Sequence, residues 1–192
     1  GQIGDKGLPE EGGTEKMYGQ SLVDAGQKGR LFRGIKRLLG SNTVQRLMVF
    51  DRPFRLVALI TPLLLRMFKS TEAQLKQVSP SASSDHACLG HPVNFEGKEG
   101  EEKDRNLQAL GKLSESANYA GFSQQSFCPE PTAAALSYLR SERSEGDKTM
   151  LAVDFGGGTL DLAILKNIGN DFEVVVTHGI GLGGDHIDQM RF

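Results

Sequence analysis

The sequence predicts an α/β fold with a mixed sheet, and three observations carry the prediction. Two strand-like apolar runs, near 149–154 and 159–165, enclose the glycine turn Gly156-Gly157-Gly158. Residues 87–139 read as strand, helix, strand, helix, the order of a βαβ unit. The chain of 192 residues is 38% hydrophobic and 24% charged, which suits one large globular domain or two small ones.

In chain order, residues 1–28 are rich in Gly, Glu, Gln and Lys and read as poorly defined loop. From Gly29 to Gly40, Leu31, Ile35, Leu38 and Leu39 fall on one helical face before a closing glycine. Residues 52–76 predict a longer helix, kinked or broken near Thr61 by Pro62. A Ser-rich link at 79–85 leads to a short strand over Ala87–Leu89, and 97–105 reads as a charged loop. Leu107, Leu110, Leu113 and Ala117 predict a helix over 106–120. A strand around Ser126–Cys128 runs into Glu130-Pro131, where proline in a first turn launches a helix. Arg140–Lys148 reads as a solvated linker; strands follow at 149–154, 159–165 and 172–178, then a helix start at 183–192. Parallel crossovers and antiparallel hairpins are expected to share the sheet.

Composition excludes several classes. A net charge of −2 argues against a nucleic-acid binder, and the arginines of Lys28–Arg55 alternate with apolar residues as on a solvated helix face. The longest apolar run, Leu56–Leu65, is about half a bilayer span and is bracketed by arginines, so no membrane segment is expected. Cys88 and Cys128 show no metal spacing and read as buried, reduced thiols suited to a cytoplasmic compartment. His91, His178 and His186 share no ligand spacing either. The chain does not begin with methionine and stops just after a helix start, which reads as a segment of a longer protein.

The chemistry concentrates in DFGGGTLD (154–161). Glycines let consecutive N–H groups turn inward and form a concavity for phosphate oxygens. Asp154 and Asp161 stand at its mouth, where a carboxylate holds hydrated magnesium or orients water. Four further phrases accompany it: KRLLG (36–40), GHPVNF (90–95), AGF (120–122) with EPTAAAL (130–136), and THG (177–179) with LGGDHID (182–188). Taken alone, Lys36 reads as a solvated side chain, Glu130 as a helix N-terminal acid, Pro92 as a strand end and Gly183-Gly184 as a tight turn.

In this order and spacing, over residues 29–192, the five phrases resemble the nucleotide-binding domain of the DnaK-type, seventy-kilodalton heat-shock chaperones. GHPVNF departs from the common chaperone form and looks like a divergent branch. The resemblance implies an actin-like ATPase (ribonuclease H-like) fold, with a first-lobe portion over 29–148 and the start of a second lobe over 149–192. It implies ATP or ADP and Mg2+ as cofactors, with client proteins and co-chaperones as partners of the longer protein. Gly156, Gly157, Gly158 and the Thr159 hydroxyl would face the β- and γ-phosphates, with Gly183 and Gly184 at a helix N-terminus beside them. Lys36 would approach the γ-phosphate. Asp154 and, through water, Glu130 would hold magnesium and the attacking water, Asp161 would support the ion shell, and Pro92 would relay nucleotide state.

The family's first phosphate hairpin has no counterpart in residues 1–28, and its adenosine motif falls outside this chain. Half a cleft is expected to be inactive alone. Two other classes compete: a non-catalytic interaction module on the same fold, and a sugar or acid kinase of the same superfamily. The kinase reading requires a phospho-acceptor site and a sugar-binding acid, and the sequence offers neither.

Overall fold

A computed structural model describes residues 2–4, 16–17, 29–32, 34–97, 100–141, 146–168 and 171–190. Short strands β1 (Gln2–Gly4), β2 (Lys16–Met17) and β3 (Gly29–Leu31) pair antiparallel in the order β2-β1-β3. The helix expected over 29–40 is therefore replaced by a strand and a single turn of helix, α1 (Ile35–Leu38). The reason lies at Gly34, whose φ of 61° is left-handed and stops a helix from running through it. Most of segment 1–28, read as loop, lies outside the described residues.

A hairpin of β4 (Arg46–Val49) and β5 (Arg52–Arg55) feeds helix α2 (Leu56–Val78). The expected helix over 52–76 thus starts four residues later, because Arg55 is still extended. Nor does Pro62 break it. Its missing N–H would have met the carbonyl of Ala58, an exposed residue, so water can take that acceptor. The preceding Thr61 hydroxyl donates to the Val57 carbonyl at 2.9 Å.

Strand β6 (His86–His91), helix α3 (Glu102–Ala120) and strand β7 (Gln124–Pro129) form a parallel βαβ unit. The helix begins four residues before its expected start, since Glu102 and Asp104 favour a first turn where positive dipole ends gather. Its small buried residues Ala109, Ser116, Ala117 and Ala120 let α2 approach with Ile60 and Leu64. Leu39, Phe95 and Phe122 complete that core, and Phe68 meets Phe122 edge-on with ring centroids 5.1 Å apart.

Helix α4 (Glu130–Ser141) starts directly from β7. It lays Ala135 against Ala163 and Leu165 of the meander β8 (Lys148–Phe155), β9 (Leu160–Ile168) and β10 (Asp171–Ile180). All three strands pair antiparallel, and helix α5 (Gly184–Gln189) follows. Parallel and antiparallel pairings therefore occupy separate sheets among the described residues, where one mixed sheet was expected. The thiols are both free, but Cys88 is exposed and Cys128 half-buried. The expectation of two buried thiols fails because both project from the β6–β7 face opposite Ala87 and Leu89, which pack on the core.

Candidate functional site

The glycine turn is built by its flanking strands. Asp154 stands opposite Asp161 and Phe155 opposite Leu160 in the β8–β9 ladder, and the Gly156 N–H closes the turn on the Thr159 carbonyl at 2.9 Å. Among the described residues, the N–H groups of Gly157 and Gly158 have no backbone acceptor. They are the donors a phosphate oxygen requires.

Asp161 is 1% exposed, and both its oxygens are in use. Oδ2 accepts the Thr159 hydroxyl at 2.6 Å, and Oδ1 accepts the Val93 N–H at 2.9 Å. This carboxylate ties the end of the glycine turn to the GHPVNF segment, whose Asn94 also donates to the Gly179 carbonyl at 3.2 Å. Pro92 is thereby held, buried, at the cavity wall.

The opposite wall comes from α1 and α4. Lys36 forms an ion pair with Glu130, the first residue of α4, although 94 positions separate them. Arg37 turns the other way. Its Nε donates to both oxygens of Glu96, at 2.9 and 3.0 Å, and Nη1 reaches Asp185 Oδ2 at 3.3 Å. One turn of helix cannot hold these cations in place unaided. Lys112 of α3 secures it by donating to the Leu39 and Ser41 carbonyls at 2.7 and 2.9 Å. Burial pushes the Lys112 ammonium below its ordinary pKa.

These groups enclose a cavity of about 430 Å³. The structure brings Lys36, Glu130, Gly156, Gly157, Gly158, Thr159 and Pro92 to its lining. Asp154, Asp161, Gly183 and Gly184 stand outside it. Asp154 is half-buried at the root of the turn, and Gly183 is packed beneath it. The N–H groups of Gly184 and Asp185 donate to the Gly156 and Gly157 carbonyls at 2.9 and 2.8 Å, so the start of α5 braces the turn from behind.

Among the described residues, no three His, Cys, Asp or Glu side chains gather as a metal-holding group. Hydrated magnesium needs no such cage, since it keeps several waters and takes one or two carboxylates plus phosphate oxygens. Sequence reasoning missed Arg37, Glu96 and Asp185. Arg37 lies beside Lys36 but resembles a solvated helix charge, and its partners are 59 and 148 residues away.

Comparison with known proteins follows the same segment. The family model described as Hsp70 protein matches residues 58–191. The chaperone protein HscA homolog of Rickettsia felis is 29% identical over 91% of this chain and 25% of its own length. The HscA homolog of Rickettsia prowazekii is 28% identical over 91% of this chain and 27% of its own length. The heat shock 70 kDa protein BIP3 of Oryza sativa subsp. japonica is 30% identical over 93% of this chain and 29% of its own length. The chain thus spans between a quarter and a third of these relatives.

Proposed function

This chain belongs to the Hsp70 family, in its nucleotide-binding domain, and from that premise we propose that it supplies one wall of a magnesium-dependent ATP site. The observation that carries the reading is the glycine turn, with two N–H groups open, facing the Lys36–Glu130 pair across one cavity. The residues fit the proposed ligand. Gly157 and Gly158 donate to phosphate oxygens, while Thr159, its hydroxyl committed to Asp161, fixes the exit of the turn. The Lys36 ammonium neutralises charge building on the transferred phosphoryl group and holds Glu130 in reach of a water.

The charged groups lining the cavity are two cations, Lys36 and Arg37, and three carboxylates, Glu96, Glu130 and Asp185, a formal sum of −1. A free polyphosphate enters such a cavity poorly, which favours its magnesium complex. Bound Mg2+ would offset the phosphate charge. Glu130 at the cavity wall and Asp154 at the root of the turn would hold its water ligands, and Asp161 aligns the turn. Gly184 braces the turn through its N–H, and Gly183 packs closely against it.

The actin-like ATPase fold is part of the proposal, with 29–148 in a first lobe and 149–192 opening a second; the βαβ unit and the following antiparallel meander support it. The relatives' names support a chaperone role for the longer protein, and the coupling of ATP turnover to the folding of client proteins, with co-chaperones, is proposed with it. Two free thiols fit a reducing compartment such as the cytoplasm. No described helix is long and apolar enough to cross a membrane.

Calorimetric titration of the folded chain with Mg-ATP tests the site, with Asp154→Asn and Lys36→Met alongside. Saturable heat is expected from the parent chain, weakened about tenfold or more in each variant, a typical cost of removing a charged contact to a ligand. Silence from a folded parent chain sinks the phosphate site while leaving the family assignment, which stands on sequence, intact.

A further inference from the structure

We propose that Arg37 is a positioning residue that latches the glycine turn to the facing wall and exchanges its Asp185 contact for an oxyanion entering the cavity. The proposal rests on the phosphate-site reading above and adds a moving part to it. Arg37 is the point where three remote segments meet. Its guanidinium grips Glu96 on the GHPVNF side and reaches Asp185 at the start of α5, while Nη2 stands 3.5 Å from His186 Nε2. Its stem lies flat on the turn: a Cβ added at Gly158 would sit 2.9 Å from both Arg37 Cγ and Cδ, and 2.5 Å from Glu96 Oε1.

The two acidic contacts are unequal, and the inequality gives the latch a direction. The Glu96 contact is two-pronged, at 2.9 and 3.0 Å, and its carboxylate is only 19% exposed. The one Nε–H is shared between both oxygens of a largely buried carboxylate, where water screens the attraction less than it does at the surface. The Asp185 contact is a single 3.3 Å approach to a side chain that is 55% exposed, where water screens the attraction. When an anion competes for the guanidinium, Asp185 yields and Glu96 stays.

Asp185 also lines the cavity the anion would enter. A Cβ added at Gly157 would meet its two carboxylate oxygens at 3.4 and 3.5 Å, so the carboxylate lies against the turn itself. An oxyanion on the Gly157 and Gly158 N–H groups repels Asp185 and attracts Arg37 at once. The Asp185 N–H bond to the Gly157 carbonyl keeps α5 joined to the turn meanwhile, so the exchange is felt at the first turn of α5.

The full chain and two variants, Asp185→Asn and Arg37→Gln, are checked for folding by circular dichroism and titrated with inorganic phosphate and with Mg-ATP. Asp185→Asn removes a competitor, and both probes are expected to bind about three- to tenfold more tightly, the scale of one screened charge beside an anion. Arg37→Gln weakens both. A purely structural Asp185 predicts the reverse, so weaker binding by Asp185→Asn overturns the exchange. Amide hydrogen exchange without ligand tests the latch separately. Arg37→Gln is expected to speed exchange in 156–159 and 184–189 but not in α2; unchanged exchange there overturns the latch. If the parent chain binds neither probe, the phosphate-site reading and the anion exchange fall together, and amide exchange alone decides whether Arg37 holds the turn.

Discussion

Replacing Gly183 by alanine puts a methyl group where the structure has no room for one. The new carbon would lie 2.4 Å from the Gly157 carbonyl oxygen and 2.6 Å from the Gly158 carbonyl carbon. Backbone strain does not enter, since Gly183 is extended at φ −126° and ψ −176°, a conformation alanine adopts freely. The cost is therefore packing alone: α5 must retreat by about 1 Å to restore ordinary contact. That retreat stretches the Gly184 and Asp185 N–H bonds to the turn, now 2.9 and 2.8 Å. Overpacking of about 1–3 kcal/mol and weakening of two backbone bonds worth about 1 kcal/mol each give a loss of about 2–4 kcal/mol. For a chain of this size the melting temperature should fall by about 4–16 °C. Differential scanning calorimetry measures it, with Gly111→Ala as the matched control. Gly111 lies in α3 with nothing within 4 Å of its added Cβ. The same methyl there should stabilise by about 0.5–1 kcal/mol through helix propensity. A Gly183→Ala chain melting within about 1 °C of the parent, where about 4 °C or more is expected, would refute the close approach of α5 to the turn.

Two further outcomes follow from the geometry. Asp161→Ala leaves the Val93 N–H without its acceptor and should cost about 1–3 kcal/mol in urea unfolding. Asp161→Asn should cost less, because its amide oxygen still accepts from Val93 while the Thr159 hydroxyl reverses to accept from the new NH2; equal losses would remove that reversal from the account. Burial, with Cys88 nearby, raises the Cys128 thiol above its ordinary pKa of 9.0. Thiolate is the reactive form, so alkylation by iodoacetamide should mark the exposed Cys88 first, and the Cys128 rate should reach its half-maximum only above pH 9.0. Equal rates at neutral pH, read by mass spectrometry, would contradict this ordering.

What could be read from the sequence was whatever local pattern decides. Strands β8, β9 and β10 announce themselves through apolar runs broken by Gly156–Gly158, and α4 through Pro131 in its first turn. Local pattern misled where backbone geometry or pairing overrides periodicity. Leu31 and Ile35 fit one helical face, yet Gly34 turns left-handed between them and Leu31 pairs with Gln2. Arg52–Arg55 continues the apolar helix pattern backwards but pairs with Arg46–Val49 instead. At the site, Lys36, Glu130 and the glycine turn were legible as motif residues, and the structure brings them to one cavity. Arg37 was not legible. Nothing within a helix turn of it signals a partner, because the carboxylates that define its role come from Glu96 and Asp185.

The bracing of the turn by α5 also sets an order of assembly. The Gly156 and Gly157 carbonyls find their partners only at residues 184 and 185, and Lys36 finds its carboxylate only at residue 130. During synthesis from the N-terminus, the α2–α3 core can close while helix α1, which bears Lys36 and Arg37, still lacks its far wall. The Lys36–Glu130 contact, 94 residues apart, carries a large loop-closure entropy, while the bonds to the Gly156 and Gly157 carbonyls wait on the emergence of α5. The phosphate-facing wall is then the last part of the segment to be completed, and a ribosome stalled before residue 185 would display a folded helical core with an unfinished site.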